Sequence, residues 1–334
     1  MKVAVLAPVA WRTPPRHYGP WEQIASNITE GLVKLGIDVS LFATGDSITA
    51  GKLFSVCATG YEEDRSQDAK VLECLHISNL MERAAEFDII HNNFDFLPLT
   101  YSGLIKTPVI TTIHGFSSPK IIPVYKKYNS TGNYVSISNS DRSPELDYLA
   151  TVYNGLNVDQ FEFNDTPGDH LLYFGRIHHD KGTAEAIDIA KKSKRKLLIA
   201  GLIQDENYFK ERVEPQLCDE VVYLGNAEPA ERNQLLRSAY ALLHPINFNE
   251  PFGMSVAEAM LCGTPVIAFN RGSMPELIKH EKAGFLVNNI SEAVEAVNQV
   301  KHINRQDCRD WSESQFSSDK MVGDYLELYK RILG

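Results

Sequence analysis

The chain has 334 residues, too long for one ordinary core and suited to about two domains. Hydrophobic residues make up 43% and charged residues 23%, which argues for a folded soluble protein and against a disordered one. A formal charge of −10 disfavours nucleic acid as a partner, because a polyphosphate backbone wants a basic surface, yet a few local cations suffice for one small phosphate ligand.

The opening "MKVAVLAPVAW" carries one Lys and a short apolar run, which reads as a buried first strand. A signal peptide would need a longer apolar core and a small-residue cleavage site. No run reaches the roughly eighteen apolar residues of a membrane-crossing helix, while peripheral contact with a membrane stays open. The five cysteines, Cys57, Cys74, Cys218, Cys262 and Cys308, are scattered and form no CxxC pair. That pattern points to reduced thiols in a cytoplasmic protein, not to a disulfide framework or a zinc site. In "PRHYGPWEQIA" Gly19 stands where a Rossmann loop wants a residue without Cβ, and Pro20 suits a first helical turn. GxGxxG is absent, which disfavours a dehydrogenase. Arg12, Arg16 and Tyr18 are candidate acceptor contacts or simply solvated loop residues.

Short β-branched runs then alternate with helical patterns. "DVSLFA", "DIIHN", "PVITTIH" and "NYVSIS" read as strands, and "WEQIASNITEGLVKLG" as a helix. Residues 44–67 have mixed polarity and read either as a mobile segment or as a hairpin cap. His114 ends a predicted strand, where an imidazole either serves a sugar hydroxyl or is satisfied in the core. His91 and Asp95 are weaker candidates of the same kind. The turn signals in "YLATVYNGLNVDQFEFNDTPGDH" place a domain boundary between residues 154 and 169.

The pattern then restarts with "HLLYFG", "KLLIAG", "VVYLG", "ALLHP" and "TPVIAF". After the first of these strands, Gly175, Arg176 and Lys181 lie in one loop that leads into a helix near Gly182. Two cations there make a diphosphate clamp, Arg by paired bonds and Lys as a point charge, or else two exposed loop cations. His178 and His179 between them read as loop residues, with no third ligand nearby to make a metal site. In "NFNEPFGMSVAEAMLCG" the amides of Phe252, Gly253, Met254 and Ser255 surround a helix start suited to an anion or sugar hydroxyls. Glu258, one turn beyond Met254, can accept from vicinal ribose hydroxyls, and Glu250 from hydroxyls of a sugar. The plainer reading makes one a solvated loop residue and the other a surface charge. In the final segment Trp311, Met321, Tyr325, Leu328 and Tyr329 form an apolar stripe.

Alternating strands and helices, stated twice, predict an α/β chain of two Rossmann-like domains with ligands at the carboxyl ends of the strands. With Gly175-Arg176, Lys181-Gly182 and the two glutamates of "EPFGMSVAE" in register, the chain resembles the retaining glycosyltransferases of family four, which have the GT-B fold with a central cleft. "AMLCGTPVIAFNRGSMPELI" and "VYNGLNVDQF" share that resemblance. It implies an N-terminal acceptor domain (1–154), a C-terminal nucleotide-sugar domain (155–310), and a last helix (311–334) packing back on the first domain. It implies a donor linked to UDP or GDP, with Arg176 and Lys181 on the diphosphate, Glu258 on the ribose, and Glu250 with the 252–255 amides on the transferred hexose. His114 would lie beside that sugar, Gly19 would face the donor, and no metal or cofactor would be needed. Where the family often has two adjacent glycines, Pro20 follows Gly19 and cannot donate an amide bond. The expected activity is retaining hexosyl transfer to a hydroxyl acceptor on a saccharide, lipid or small natural product. An epimerase, a phosphorylase and a non-catalytic sugar-nucleotide sensor are the rivals. The sequence leaves the oligomeric state open.

Overall fold

The computed structural model describes every residue except Tyr18. It comprises two compact units, one of Met1–Gly155 with Ser318–Gly334 and one of Leu156–Ser317. In chain order the strands are β1 (Lys2–Leu6), β2 (Asp38–Phe42), β3 (Lys52–Phe54), β4 (Ile89–Asn92), β5 (Val109–Ile113), β6 (Tyr134–Ser136), β7 (Tyr148–Thr151), β8 (Leu171–Phe174), β9 (Leu197–Ala200), β10 (Val221–Tyr223), β11 (Ala241–His244), β12 (Val266–Phe269) and β13 (Gly284–Val287). The helices are α1 (Pro20–Lys34), α2 (Ala69–Met81), α3 (Ile122–Lys127), α4 (Thr183–Ser193), α5 (Glu206–Tyr208), α6 (Pro229–Ser238), α7 (Met254–Leu261), α8 (Met274–Leu277), α9 (Ile290–Gln299), α10 (Arg305–Phe316) and α11 (Ser318–Leu333).

The first unit holds a parallel sheet in the order β3-β2-β1-β4-β5-β6-β7. The second holds a parallel sheet in the order β10-β9-β8-β11-β12-β13. Central strands such as β1, with Val3 to Leu6 fully buried, are apolar without alternation because helices cover both faces. Three strands escaped the sequence reading: β3 inside the unsettled 44–67 segment, β7 at the head of the supposed linker, and β13. All three lie at sheet edges and are three or four residues long, too short to show a period.

The expected single helix over 311–334 is two helices. Ser317 adopts an extended conformation (ψ 148°) between α10 and α11. Trp311 therefore leaves the predicted stripe, and its indole donates to the Leu277 carbonyl in the second unit at 2.7 Å. Met321, Val322, Tyr325, Leu328 and Tyr329 form the buried face of α11. Gly31 of α1 lets this helix approach, since a Cβ there would sit 2.4 Å from Val322. The Tyr329 hydroxyl lies 2.6 Å from His91 Nδ1, whose Nε2 lies 2.7 Å from the Thr112 hydroxyl, itself 2.7 Å from the Tyr325 hydroxyl. His91, an early site candidate, is thus a satisfied core residue tying α11 to β4 and β5. Among the described residues no helix is long and apolar enough to cross a membrane.

Burial holds His76 and His91 neutral, lowering their pKa from 6.5 to about 4 and about 3. Both titrate below their unfolded values, so the stability they contribute is complete above pH 6.5 and is lost as pH falls toward 4. Urea unfolding across that window will show falling stability, with a shallower slope in His76→Gln, whose amide preserves the donor to the Ala7 carbonyl. Tyr329→Phe, which leaves His91 Nδ1 unpaired, will cost about 1–3 kcal/mol at pH 7.

Candidate active site

In the second unit the chain leaves β8 toward β9 on one side and reaches β11 and β12 on the other, so the strand order reverses between β8 and β11. Ligands of open α/β sheets bind at the carboxyl ends of strands that flank such a reversal. The loops there are residues 175–182 after β8 and 245–253 after β11. They touch without intervening side chains. Gly182, in the left-handed conformation (φ 75°), brings its backbone so close that a Cβ would lie 1.9 Å from the Pro245 carbonyl oxygen. The amide of Asn247 donates to the Asp180 carbonyl at 2.6 Å, and its side chain donates to Glu185 at 2.8 Å. The loop after β12 supports the other flank. A Cβ on Gly272 would meet the Glu250 backbone at 2.4 Å, and the Ser273 amide donates to the Glu250 carbonyl at 3.0 Å. The Ser273 hydroxyl donates to the Phe252 carbonyl at 2.5 Å.

On this frame Lys181 and Glu250, 69 residues apart, form an ion pair with Nζ 2.5 Å from Oε2. Their side chains are 14% and 12% exposed, and the ammonium lies 4.7 Å from the centre of the Phe248 ring. Arg176 is half-buried, and its guanidinium donates to the Gln204 side chain of the loop after β9. Tyr173 donates to the Arg176 carbonyl at 2.9 Å, fixing the turn that follows Gly175. Phe252 is buried, Gly253 caps α7 with φ 95°, and Met254 and Ser255 open that helix half-buried.

Two sequence readings need correction. Glu258 is not the surface charge of the plainer reading. It is 6% exposed and accepts from Arg232 of α6 at 3.2 Å, because a buried carboxylate needs a partner. Nor do His178 and His179 lack a third neighbour: Asp205 brings its carboxylate within 4.8 Å of both. These groups already have partners within the loop. Asp205 caps α5 by accepting from the Tyr208 amide at 3.0 Å, and His178 Nδ1 accepts from the Asp180 amide at 3.3 Å.

His244, the last residue of β11, was missed. It is 6% exposed, its Nε2 has no hydrogen-bond partner, and that atom lies 3.8 Å from Glu250 Oε2. Burial lowers its pKa to about 4 against the opposing pull of the Glu250 carboxylate, so it is neutral at pH 7. The signal was legible: "ALLHP" ends an apolar strand in an imidazole, as "TTIH" does for His114.

In the first unit, His114 follows β5, stacks on Trp21 at 5.5 Å, and places Nε2 3.0 Å from Asn93 Oδ1. Burial lowers its pKa to about 3. Gly19 caps α1. Arg16 is engaged by Asp46 at 2.9 Å and Glu63 at 2.6 Å, and Arg12 donates to the Pro14 carbonyl at 2.9 Å. Tyr18 lies outside the described residues. Asp95 takes a left-handed backbone (φ 85°) and accepts from the Tyr125 hydroxyl, with burial raising its pKa to about 6.

Residues 158–316 match the family model described as "Glycosyl transferases group 1". The two parallel α/β units have the GT-B glycosyltransferase fold, and these matches support glycosyltransferase activity. An uncharacterized glycosyltransferase of Methanocaldococcus jannaschii is 24% identical, with 86% of this chain and 85% of that protein covered. The solved structure of AviGT4, a glycosyltransferase involved in avilamycin A biosynthesis, superposes with TM-score 0.74 at 22% identity over 100% of this chain and 98% of that one. Anabaena HepE, solved in complex with UDP, gives TM-score 0.74 at 17% identity over 99% and 100%.

The contact between the two loops sets a stability test. Gly182→Ala combines a left-handed φ with a backbone overlap that no rotamer relieves, and will cost at least about 2 kcal/mol. Gly225→Ala shares the positive φ (84°) but meets nothing within 4 Å, and will cost about 1 kcal/mol. Urea midpoints of the two variants isolate the close approach.

Proposed function

We propose that the protein is a retaining glycosyltransferase that moves a hexose from a UDP- or GDP-linked sugar to a hydroxyl acceptor. The observation that carries this reading is the meeting of Lys181 and Glu250 at the strand-order reversal, a cation and a carboxylate offered side by side to a ligand with an anionic and a hydroxyl-bearing end. Arg176 and Lys181 take the diphosphate. Glu250, with the backbone of Phe252 and the first turn of α7 from Gly253 to Ser255, takes the hexose. Glu258, oriented by Arg232, takes the ribose hydroxyls. The UDP in the HepE structure supports a nucleotide-sugar donor.

In the reaction, the bond between the anomeric carbon and the diphosphate oxygen breaks and its electron pair goes to the departing phosphate. The acceptor oxygen bonds to that carbon on the same face and passes its proton to a departing phosphate oxygen. Arg176 and Lys181 stabilise the charge that grows on the leaving group. Glu250 orients hydroxyls and forms no covalent bond. His114, at the carboxyl edge of the first sheet, is assigned a hydrogen-bonding role toward the reacting sugar, Gly19 a place facing the donor, and the rest of that edge the acceptor side. The unpaired cysteines suit a reducing cytoplasm.

A thermal-shift panel of nucleotide sugars will identify the preferred base and sugar, since a bound ligand stabilises the native state by mass action. Arg176→Ala and Lys181→Ala will each cut turnover roughly a hundredfold or more; near-normal transfer in either overturns the clamp. Glu258→Ala will weaken nucleoside diphosphate binding while leaving inorganic pyrophosphate affinity unchanged. Equal loss of both ligands would remove Glu258 from the ribose.

A further inference from the structure

We propose that His244 is a positioning residue for Glu250, taking hold of its carboxylate when the donor diphosphate draws on Lys181. This rests on the donor-site reading above. One oxygen of Glu250, Oε2, receives the Lys181 ammonium at 2.5 Å, and the same oxygen lies 3.8 Å from His244 Nε2. That nitrogen is buried and has no partner, a costly state for a polar group that could otherwise have been a hydrocarbon. A shift of about 1 Å brings it to hydrogen-bonding distance of Glu250. The backbone on both sides is fixed. His244 ends a central strand paired to Ala268 of β12, and Glu250 is braced by Gly272 and Ser273. The movement therefore belongs to the Glu250 side chain.

Lys181 cannot serve two anions equally. An incoming diphosphate carries more charge than the carboxylate and competes for the ammonium. A nucleoside diphosphate alone leaves the sugar position to solvent, which can solvate Glu250 in place of the ammonium. A bound sugar excludes that solvent and, without a second donor, would leave the carboxylate enclosed with its main partner withdrawn, which penalises sugar binding. His244 removes that penalty. A neutral imidazole carries one N–H, and the adjacent carboxylate favours its placement on Nε2. With Oε2 so held, Oε1 faces the sugar in a set orientation. The role acts on the sugar end of the donor, through Glu250, and not on the diphosphate.

The test compares two ligands, the nucleotide sugar preferred by the wild-type protein and the matching nucleoside diphosphate, by calorimetry on the full chain. His244→Leu will lose about tenfold in nucleotide-sugar affinity and stay within about twofold for the nucleoside diphosphate. His244→Gln, whose amide nitrogen reaches the position of Nε2, will restore most of the loss. A packing role predicts the reverse order, because Leu fills a buried site better than an amide does. Equal weakening of both ligands by His244→Leu, or no rescue by Gln, overturns the inference and leaves the donor site standing. Binding of neither ligand by the wild-type protein overturns the donor site itself, and this inference with it. A wild-type crystal structure with the nucleotide sugar needs no variant: it will show His244 Nε2 within about 3 Å of Glu250, and a distance still near 3.8 Å overturns the proposal.

Discussion

The approach of two loops across the strand-order reversal is the constraint on which the second unit's chemistry depends. Lys181 and Glu250 meet because Gly182 presses on the Pro245 carbonyl and Gly272 on the Glu250 backbone. A Cβ at either glycine would meet backbone at 1.9 or 2.4 Å, closer than real Cβ contacts allow, and would push the loops apart. The ion pair itself is weak evidence for stability, since desolvating two charges offsets much of their attraction. Its significance is positional: it keeps a cation and a carboxylate adjacent at the carboxyl ends of the strands in a chain whose net charge is −10.

Other cations of the same unit do a different job. Arg305 of α10 is 6% exposed and donates to the carbonyls of Asn164, Ala239 and Arg237 and to the Thr264 hydroxyl. Arg309 donates to the carbonyls of Phe161 and Leu261. These guanidinium groups satisfy loop carbonyls that would otherwise be buried without partners. Arg176 differs by facing a side-chain amide in a loop beyond a strand's carboxyl end. On the proposed function, location at that edge, not residue type, sets Arg176 apart from these structural cations.

The first unit shows the same division among its histidines. His91 lies within β4, paired with Ile110 of β5, whereas His114 follows β5, and both read as site candidates. His91 has both ring nitrogens engaged, by Tyr329 and Thr112, and serves to fasten α11. His114 engages Nε2 with Asn93 while Nδ1 has no partner. Two hydroxyl groups, one from a helix more than two hundred positions away, fasten His91 in a way that His114 lacks.

Local sequence determined the alternation of strands and helices, the position of most strands, and the two loops rich in chemistry, because apolar runs and turn residues act over a few positions. It also marked Gly182 and Gly253 at helix starts. The tertiary structure alone decided that Lys181 pairs with Glu250, that Glu258 has Arg232, that Asp205 joins His178 and His179, and that the last segment breaks at Ser317. Those partnerships join residues from different loops and helices, and strand order, which no local period encodes, determines which loops become neighbours.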